Sequence, residues 1–142
     1  MKNSRDLADL RPKVRSMAVA FIEKCQAAGI DVIITSTYRD NEAQAALYAK
    51  GRTAPGRKVT NAKPGQSWHN HQCAFDFVPI VDGKPDWKNI KTFEKCGEIA
   101  ESIGLEWAGR WRTFKEYAHC QYTAGYTLSQ FQAGKIDESK FI

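Results

Sequence analysis

Residues 67–81 have the sequence SWHNHQCAFDFVPIV. A polar segment with two histidines is followed directly by residues 74–81, in which the character of the side chains alternates. The alternation of the second half predicts a β-strand, and Asp82-Gly83 behind it is a hairpin signal. His69 and Asp76 are seven residues apart. Both can therefore face one point only if the chain turns between them, and we place that turn at Gln72-Cys73. The stretch thus predicts imidazole and carboxylate groups at the start of a strand.

The rest of the chain mixes helices and strands without a regular βαβ alternation. Helices are predicted where apolar residues recur at three- and four-residue steps, and strands where β-branched or alternating residues predominate. The predicted helices cover residues 7–25, 40–50 and 90–103, with a final helical turn at 129–133. The other predicted strands cover residues 31–37, 105–107 and 117–122. We expect an α+β fold with a small, mainly antiparallel sheet and flanking helices, in a single domain over residues 1–142.

The composition is that of a globular protein, with 42% hydrophobic and 26% charged residues. No apolar run approaches the roughly 18 residues of a membrane span, and no secretory signal peptide is visible. We expect synthesis in a cytosol, no stable membrane insertion and four reduced cysteines. The net charge of +5 permits a polyanionic partner, but no nucleic-acid-binding motif is present, so we expect no nucleic-acid partner. A long functional loop is predicted at 51–66, and we interpret its basic residues as a solvated face: Arg52, Arg57, Lys58 and Lys63.

A second polar cluster, Glu116 to His119, adds a carboxylate and the third histidine. A catalytic zinc typically has three protein ligands and an open position for water, and a nearby carboxylate completes proton transfer. Glu116 and His119 are three residues apart, so they point to opposite faces of a regular strand. Near a strand start or a bend they can instead flank one site, one as ligand and one as acid/base. His119 and Cys120 are neighbours, so only one of them can face a metal. Spacing alone leaves open the alternative that these are ordinary surface or hydrogen-bonded residues.

The order of these motifs carries a resemblance to a known family. The pattern S-x-H-(six residues)-D, followed about forty residues later by E-x-x-H, resembles the zinc peptidases of the D-Ala-D-Ala carboxypeptidase and L-alanyl-D-glutamate endopeptidase family. Segments similar to the L-alanyl-D-glutamate branch lie at 36–39, 44–48, 51–70 and 104–114, so the resemblance covers roughly residues 10–125. The sequence departs from the family at a few positions. Gln72-Cys73 stands where Gly-Leu is common, Glu116 where many members have Asp, and Ala118 and Cys120 where Pro and Phe are common.

The resemblance implies a hedgehog/D-Ala-D-Ala-peptidase-like fold and a set of residue roles. The zinc ligands would be His69, Asp76 and His119. Glu116 would act as the general base and then protonate the leaving amine. Arg39 would hold the scissile carbonyl or the developing oxyanion, and Ser67 would donate a hydrogen bond to the substrate. We interpret His71 as a rim residue, because three ligands already complete a catalytic set.

By this resemblance the chain is expected to be a zinc endopeptidase that cuts the L-alanyl-D-glutamate bond of peptidoglycan stem peptides. We expect a monomeric phage endolysin without a separate wall-binding domain, which is made in the host cytoplasm and acts in the periplasm after release. The alternative within the family is a D-Ala-D-Ala carboxypeptidase or dipeptidase, for which Glu116 is the signal. A basic binding module with a degenerate site is the alternative from another class.

Overall fold

The chain folds into four α-helices and a five-stranded antiparallel sheet, described by a computed structural model of all 142 residues. The helices are α1 (Pro12–Ala27), α2 (Asn41–Ala49), α3 (Ile90–Ile103) and α4 (Leu128–Gln132). The strands are β1 (Asp31–Ser36), β2 (Ala74–Val81), β3 (Lys84–Pro85), β4 (Glu106–Trp107) and β5 (His119–Gln121). Their order in the sheet is β1-β2-β5-β4, with β3 paired to β2 at the side. The α+β prediction is confirmed, and so is the antiparallel sheet.

The first helix begins later than its apolar stripe predicts. Leu7–Asp9 form a separate 3-10 turn, in which the Asp6 side chain accepts a hydrogen bond from the amide of Ala8. Helix α1 starts only at Pro12, because proline lacks the N–H that a first helical turn leaves unpaired and has its φ already set for that position. The apolar spacing continues across this break, so it could not reveal it.

The two faces of the sheet have different partners. On one face Phe75 and Phe77 of β2 pack against Phe21 of α1, with ring centroids 5.6 and 4.9 Å apart. Phe93 of α3 packs on the same side, 5.6 Å from Phe77. Because side chains alternate along a strand, Asp76 points to the opposite face, away from the helices. Much of the core therefore lies between the sheet and helices α1 and α3, and the opposite face, called the polar face below, carries Asp76 next to the buried Val78.

Trp107 lies in the edge strand β4, and its side chain packs into the core. A Cβ added at Gly97 of α3 or at Gly109 would lie 2.1 Å from an atom of this indole, so both glycines are needed for the close approach. The indole Nε1 donates a hydrogen bond to the carbonyl of Tyr117, at 2.8 Å. Trp107 thus ties helix α3 and strand β4 to the segment that leads into β5.

No helix of the protein is both long enough and apolar enough to cross a membrane. All four cysteines are buried and unpaired.

Candidate metal centre and active site

A tight turn places His69 at the polar face. Trp68–His71 form a 3-10 turn in which the Ser67 side chain accepts a hydrogen bond from the amide of His69, at 3.2 Å. The Asn70 side chain accepts from the Ser67 amide at 3.2 Å, which completes a reciprocal cap. The turn ends at Gln72, whose φ of 61° lies in the left-handed region that favours glycine. The Gln72 side chain offsets this strain by donating to the carbonyl of Asp9 at 2.8 Å.

Strand register brings Asp76 and His119 together. The two residues are direct partners in the β2–β5 pairing, so their side chains lie on the same face. Phe75 and Cys120 form the next pair and face the core. As expected, only one of these two neighbours faces the site, and it is His119 rather than Cys120. Glu116 lies before β5 at the start of a turn, where its carbonyl accepts from the His119 amide at 3.4 Å.

Three side chains from distant parts of the sequence converge on one point. The Oδ1 atom of Asp76 lies 3.2 Å from Nε2 of His69 and 3.1 Å from Nδ1 of His119. One donor atom from each residue lies within 4.8 Å of the other two. Both imidazoles are buried, whereas the Asp76 side chain keeps 27% exposure toward the pocket. The structure thus brings together the three residues that the sequence predicts as metal ligands.

The outer hydrogen bonds of the two histidines fix opposite tautomers. Nδ1 of His69 lies 2.7 Å from the carbonyl oxygen of Thr37, which only accepts, so this nitrogen carries the proton. Nε2 of His119 lies 2.8 Å from Oε1 of Gln121, so there the proton is on Nε2. In their neutral forms the lone pairs left on Nε2 of His69 and Nδ1 of His119 both face Asp76. Two neutral imidazoles and one carboxylate, with an open side, fit the donor set of a catalytic zinc.

The charged groups of the site shift each other's pKa values. Burial alone would raise the pKa of Asp76, but the charge of a protonated His69 and the hydrogen bonds that protonated imidazoles donate outweigh it and hold that pKa well below its usual range. Burial would likewise lower the pKa of His119, but the hydrogen bond to Asp76 and the charges of Asp76 and Glu116 raise it. Without a metal, the Asp76 carboxylate therefore stays ionised, and His119 binds a second proton more readily than a free imidazole does.

Glu116 and Arg39 flank the three converging residues on the wall of one pocket. Oε2 of Glu116 lies 3.7 Å from Nδ1 of His119, and its side chain is 58% exposed. Arg39 donates to Oε1 of Gln44 at 3.0 Å and lies 3.4 Å from Oγ of Ser36. It does not pair with the acidic residues at the start of α2. Its buried Nε has no partner, and burial lowers its pKa although Asp76 and Glu116 oppose the shift.

The predicted loop at 51–66 forms part of the pocket wall through Val59, Thr60 and Ala62. Arg52 connects parts of this loop through hydrogen bonds, so the prediction that it belongs to a solvated face is wrong. Its guanidinium donates to the carbonyls of Tyr48 and Thr60 at 2.7 and 3.0 Å and stacks 3.9 Å from the Tyr48 ring. Arg57, Lys58 and Lys63 are exposed, as expected.

Other residues near the motifs stay outside the converging group. Nε2 of His71 bonds to the carbonyl of Gly65 at 2.8 Å, and its ring packs against Phe131 outside the pocket lining. Cys73 is buried, and burial raises its pKa to about 12. Ser67 lines the pocket, where its hydroxyl can still donate while it accepts from the turn.

Sequence reasoning missed the residues that support the ligands, of which Gln121 and Thr37 are the most direct. Gln121 follows His119 by two positions in a predicted strand, so period-two alternation would have placed both on one face. Thr37 acts through its main-chain oxygen, for which a side-chain motif gives no signal.

Comparisons with known proteins identify the family of the chain. Residues 7–124 match the family model VanY, D-alanyl-D-alanine carboxypeptidase. The chain is 36% identical over 129 residues to the peptidoglycan L-alanyl-D-glutamate endopeptidase CwlK of Bacillus subtilis, covering 80% of this chain and 74% of that protein. It is 30% identical over 137 residues to the L-alanyl-D-glutamate peptidase of Listeria phage A118, covering 92% of this chain but only 46% of the phage protein.

Solved structures show the same fold at lower identity. The L-Ala D-Glu endopeptidase ChiX of Serratia marcescens superposes with a TM-score of 0.64 at 17% identity, covering 92% of this chain and 87% of that one. A VanY D,D-pentapeptidase solved with Zn(II) has a TM-score of 0.57 at 16% identity, covering 90% and 80% of the two chains. From the matched sequence and the shared fold, the chain belongs to the VanY D-alanyl-D-alanine carboxypeptidase family of peptidases.

Proposed function

We propose that this chain is a zinc-dependent endopeptidase that hydrolyses the L-alanyl-D-glutamate bond of peptidoglycan stem peptides. The observation that carries the proposal is the convergence of His69, Asp76 and His119 beside Glu116 on an open pocket. Two relatives named for the L-alanyl-D-glutamate activity, at 36% and 30% identity, support the choice of bond. A basic binding module would need neither the converging donors nor the adjacent carboxylate.

In this proposal His69, Asp76 and His119 would hold the metal, with Nε2, a carboxylate oxygen and Nδ1 as the donor atoms that converge. A bound zinc would supply a Lewis acid that polarises the scissile carbonyl and acidifies water. Glu116 takes the proton of the attacking water and transfers it to the departing amine nitrogen, for which its exposed carboxylate is accessible to substrate. Arg39 stabilises the negative charge that develops on the carbonyl oxygen, because its guanidinium is held on the pocket wall by Gln44.

Product analysis tests the proposed bond. Purified zinc-loaded protein is incubated with muropeptides that contain the full stem, and the products are separated and identified by mass spectrometry. We expect new L-alanine carboxyl termini and new D-glutamate amino termini. If the loaded protein leaves the L-alanyl-D-glutamate bond intact, the proposed specificity is wrong.

A D-Ala-D-Ala carboxypeptidase or dipeptidase is the second candidate, favoured by the description of the matched family and by Glu116. The same incubation separates the two candidates. Release of free D-alanine or of the D-Ala-D-Ala dipeptide, with the L-alanyl-D-glutamate bond intact, would identify the second one.

We further propose that the chain acts as a single-domain, monomeric phage endolysin that meets peptidoglycan after release from the host cytoplasm. The similarity to a phage peptidase supports this role. Cytoplasmic expression alone in a Gram-negative host should leave the culture turbid, whereas co-expression with a membrane-permeabilising holin should clear it. Sedimentation velocity tests the monomer, and a concentration-dependent rise in mass would contradict it.

A further inference from the structure

The Gln121 side chain joins His119 to an acidic residue outside the proposed ligand set. Gln121 is 3% exposed and lies on the same face of β5 as His119. Its Oε1 accepts from Nε2 of His119 at 2.8 Å, and its Nε2 donates to Oε2 of Glu106 at 3.1 Å. Glu106 and Gln121 are direct partners in the β4–β5 pairing, so the contact follows from strand register.

Glu106 decides which way the Gln121 amide points. A carboxylate only accepts hydrogen bonds, so the amide nitrogen of Gln121 must face Glu106 and the amide oxygen must face His119. The same Oε2 atom also accepts from the indole Nε1 of Trp111 at 3.0 Å. The centroid of the Trp111 ring lies 5.8 Å from that of the His119 ring. His119, Gln121, Glu106 and Trp111 therefore contact one another in a closed ring, which we call the circuit.

We propose that Gln121, oriented by Glu106, is a positioning residue that fixes the ring and the tautomer of His119 so that Nδ1 faces the metal. The inference rests on the proposed function, because it takes His119 as a ligand. With the Gln121 amide turned around, its NH₂ group would face Nε2, and the proton would move to Nδ1, where it blocks coordination. Glu106 thereby acts on the site through Gln121, without itself reaching the metal. Trp111 links the same carboxylate to the pocket wall.

Zinc affinity, measured by competition with a chromophoric chelator, tests the circuit without any substrate. Loss of an outer-shell partner typically weakens metal binding about 10- to 100-fold, and we expect that range for Gln121→Ala. Glu106→Gln should weaken binding less, because the amide of Gln121 is then free to turn. The control is Glu101→Gln, which removes an equal charge from an exposed pair with Arg110 and should leave the affinity unchanged.

The double variant separates orientation from charge. If Glu106 acts through Gln121, adding Glu106→Gln to Gln121→Ala should cause no further loss of zinc affinity. A second loss as large as that in the single variant would show a direct charge effect and overturn the role given to Glu106. Unchanged affinity in folded Gln121→Ala would overturn the role of Gln121.

Imidazole ¹⁵N NMR of the zinc-loaded wild-type protein gives a readout that needs no variant to fold. We expect the His119 proton on Nε2 and the metal on Nδ1, with the reverse arrangement at His69. A proton on Nδ1 of His119 would overturn the inference while leaving the peptidase proposal intact. A wild-type protein that takes up no zinc would overturn both.

Discussion

The outer hydrogen bonds of His69 and His119 are made by oxygens that only accept, and this prepares the site before any metal enters. The carbonyl of Thr37 belongs to the backbone beside β1, and Gln121 belongs to β5. Each histidine therefore reaches Asp76 with the correct nitrogen without a rotation on binding. Glu116 differs from these residues, because 58% of its side chain is exposed and it makes no hydrogen bond that would hold it away from substrate.

Glu116→Gln should separate metal binding from turnover. The amide is nearly the same size but cannot take up a proton, so we expect kcat to fall by about 100-fold or more. Zinc content should remain that of the wild type, because the proposed ligands are untouched. Steady-state rates on muropeptides and metal analysis of the same sample provide the two measurements. Glu98→Gln, on the exposed face of α3, is the matched control, and a Glu116→Gln rate near that of this control would remove Glu116 from the mechanism.

At the scale of elements, the sequence predicts regular segments well where side-chain alternation carries the signal. The alternation of residues 74–81 places Asp76 and the core phenylalanines on opposite faces, and β2 has those bounds. The 3-10 turn at Trp68–His71 could not be predicted, because a cap formed by Ser67 and Asn70 shapes it rather than an apolar period. The role of Arg52 could not be predicted either, because the carbonyls that it binds become neighbours only when the loop folds back on α2.

Gly97→Ala should destabilise the protein by displacing the Trp107 indole. Alanine favours a helix over glycine by about 1 kcal/mol, but its Cβ would meet the indole ring at 2.1 Å. The clash forces Trp107 to move, and overpacking of this kind costs roughly 1–3 kcal/mol. Chemical denaturation should therefore give a lower free energy of unfolding than in Lys95→Ala, an exposed substitution on the same helix. A Gly97→Ala protein as stable as wild type would mean that the indole moves freely.

Arg52→Ala should loosen the pocket wall without changing the reacting groups. Removing the guanidinium frees the carbonyl of Thr60, and the wall formed by Val59 and Ala62 loses its tie to α2. We expect KM to rise roughly 3- to 10-fold, the equivalent of about 1 kcal/mol for a hydrogen bond, with a smaller change in kcat. Arg57→Ala removes an exposed arginine from the same loop and is the control. An equal rise in KM for both variants would point to overall charge instead of loop structure.

At the scale of the whole molecule, the proposed ligands tie together segments that are far apart in sequence. His69 lies in the turn before β2, Asp76 in β2 and His119 in β5. A bound ion would bridge the centre of the sheet to the turn packed over it, so metal binding and global stability are coupled. Zinc at 100 times its dissociation constant adds about 2.7 kcal/mol to the free energy of unfolding. For a chain of this size that corresponds to a rise in Tm of roughly 8–13 °C.

This stabilisation by zinc should grow as the pH rises from 5 to 8. His119 has a pKa raised above its ordinary 6.5, so in the metal-free protein its contribution to stability is complete below that value and is lost as the pH rises through the raised pKa. Asp76 has a lowered pKa, so its contribution is present above the ordinary 3.8 and is lost only in more acidic solution. Protons and zinc therefore compete for Nδ1 of His119 across this range. Thermal unfolding with zinc and with a chelator should show a gap in Tm that is small at pH 5 and wide at pH 8.

Two histidine variants make this pH effect specific to the proposed ligands. His119→Ala should abolish the response of Tm to zinc at every pH, because only two donors remain. His71→Ala removes an imidazole that lies two residues from His69 but bonds to the Gly65 carbonyl outside the pocket lining, so it should keep the wild-type response. A gap in Tm that stays constant between pH 5 and 8, or that survives in His119→Ala, would mean that zinc stabilises the fold from elsewhere on its surface.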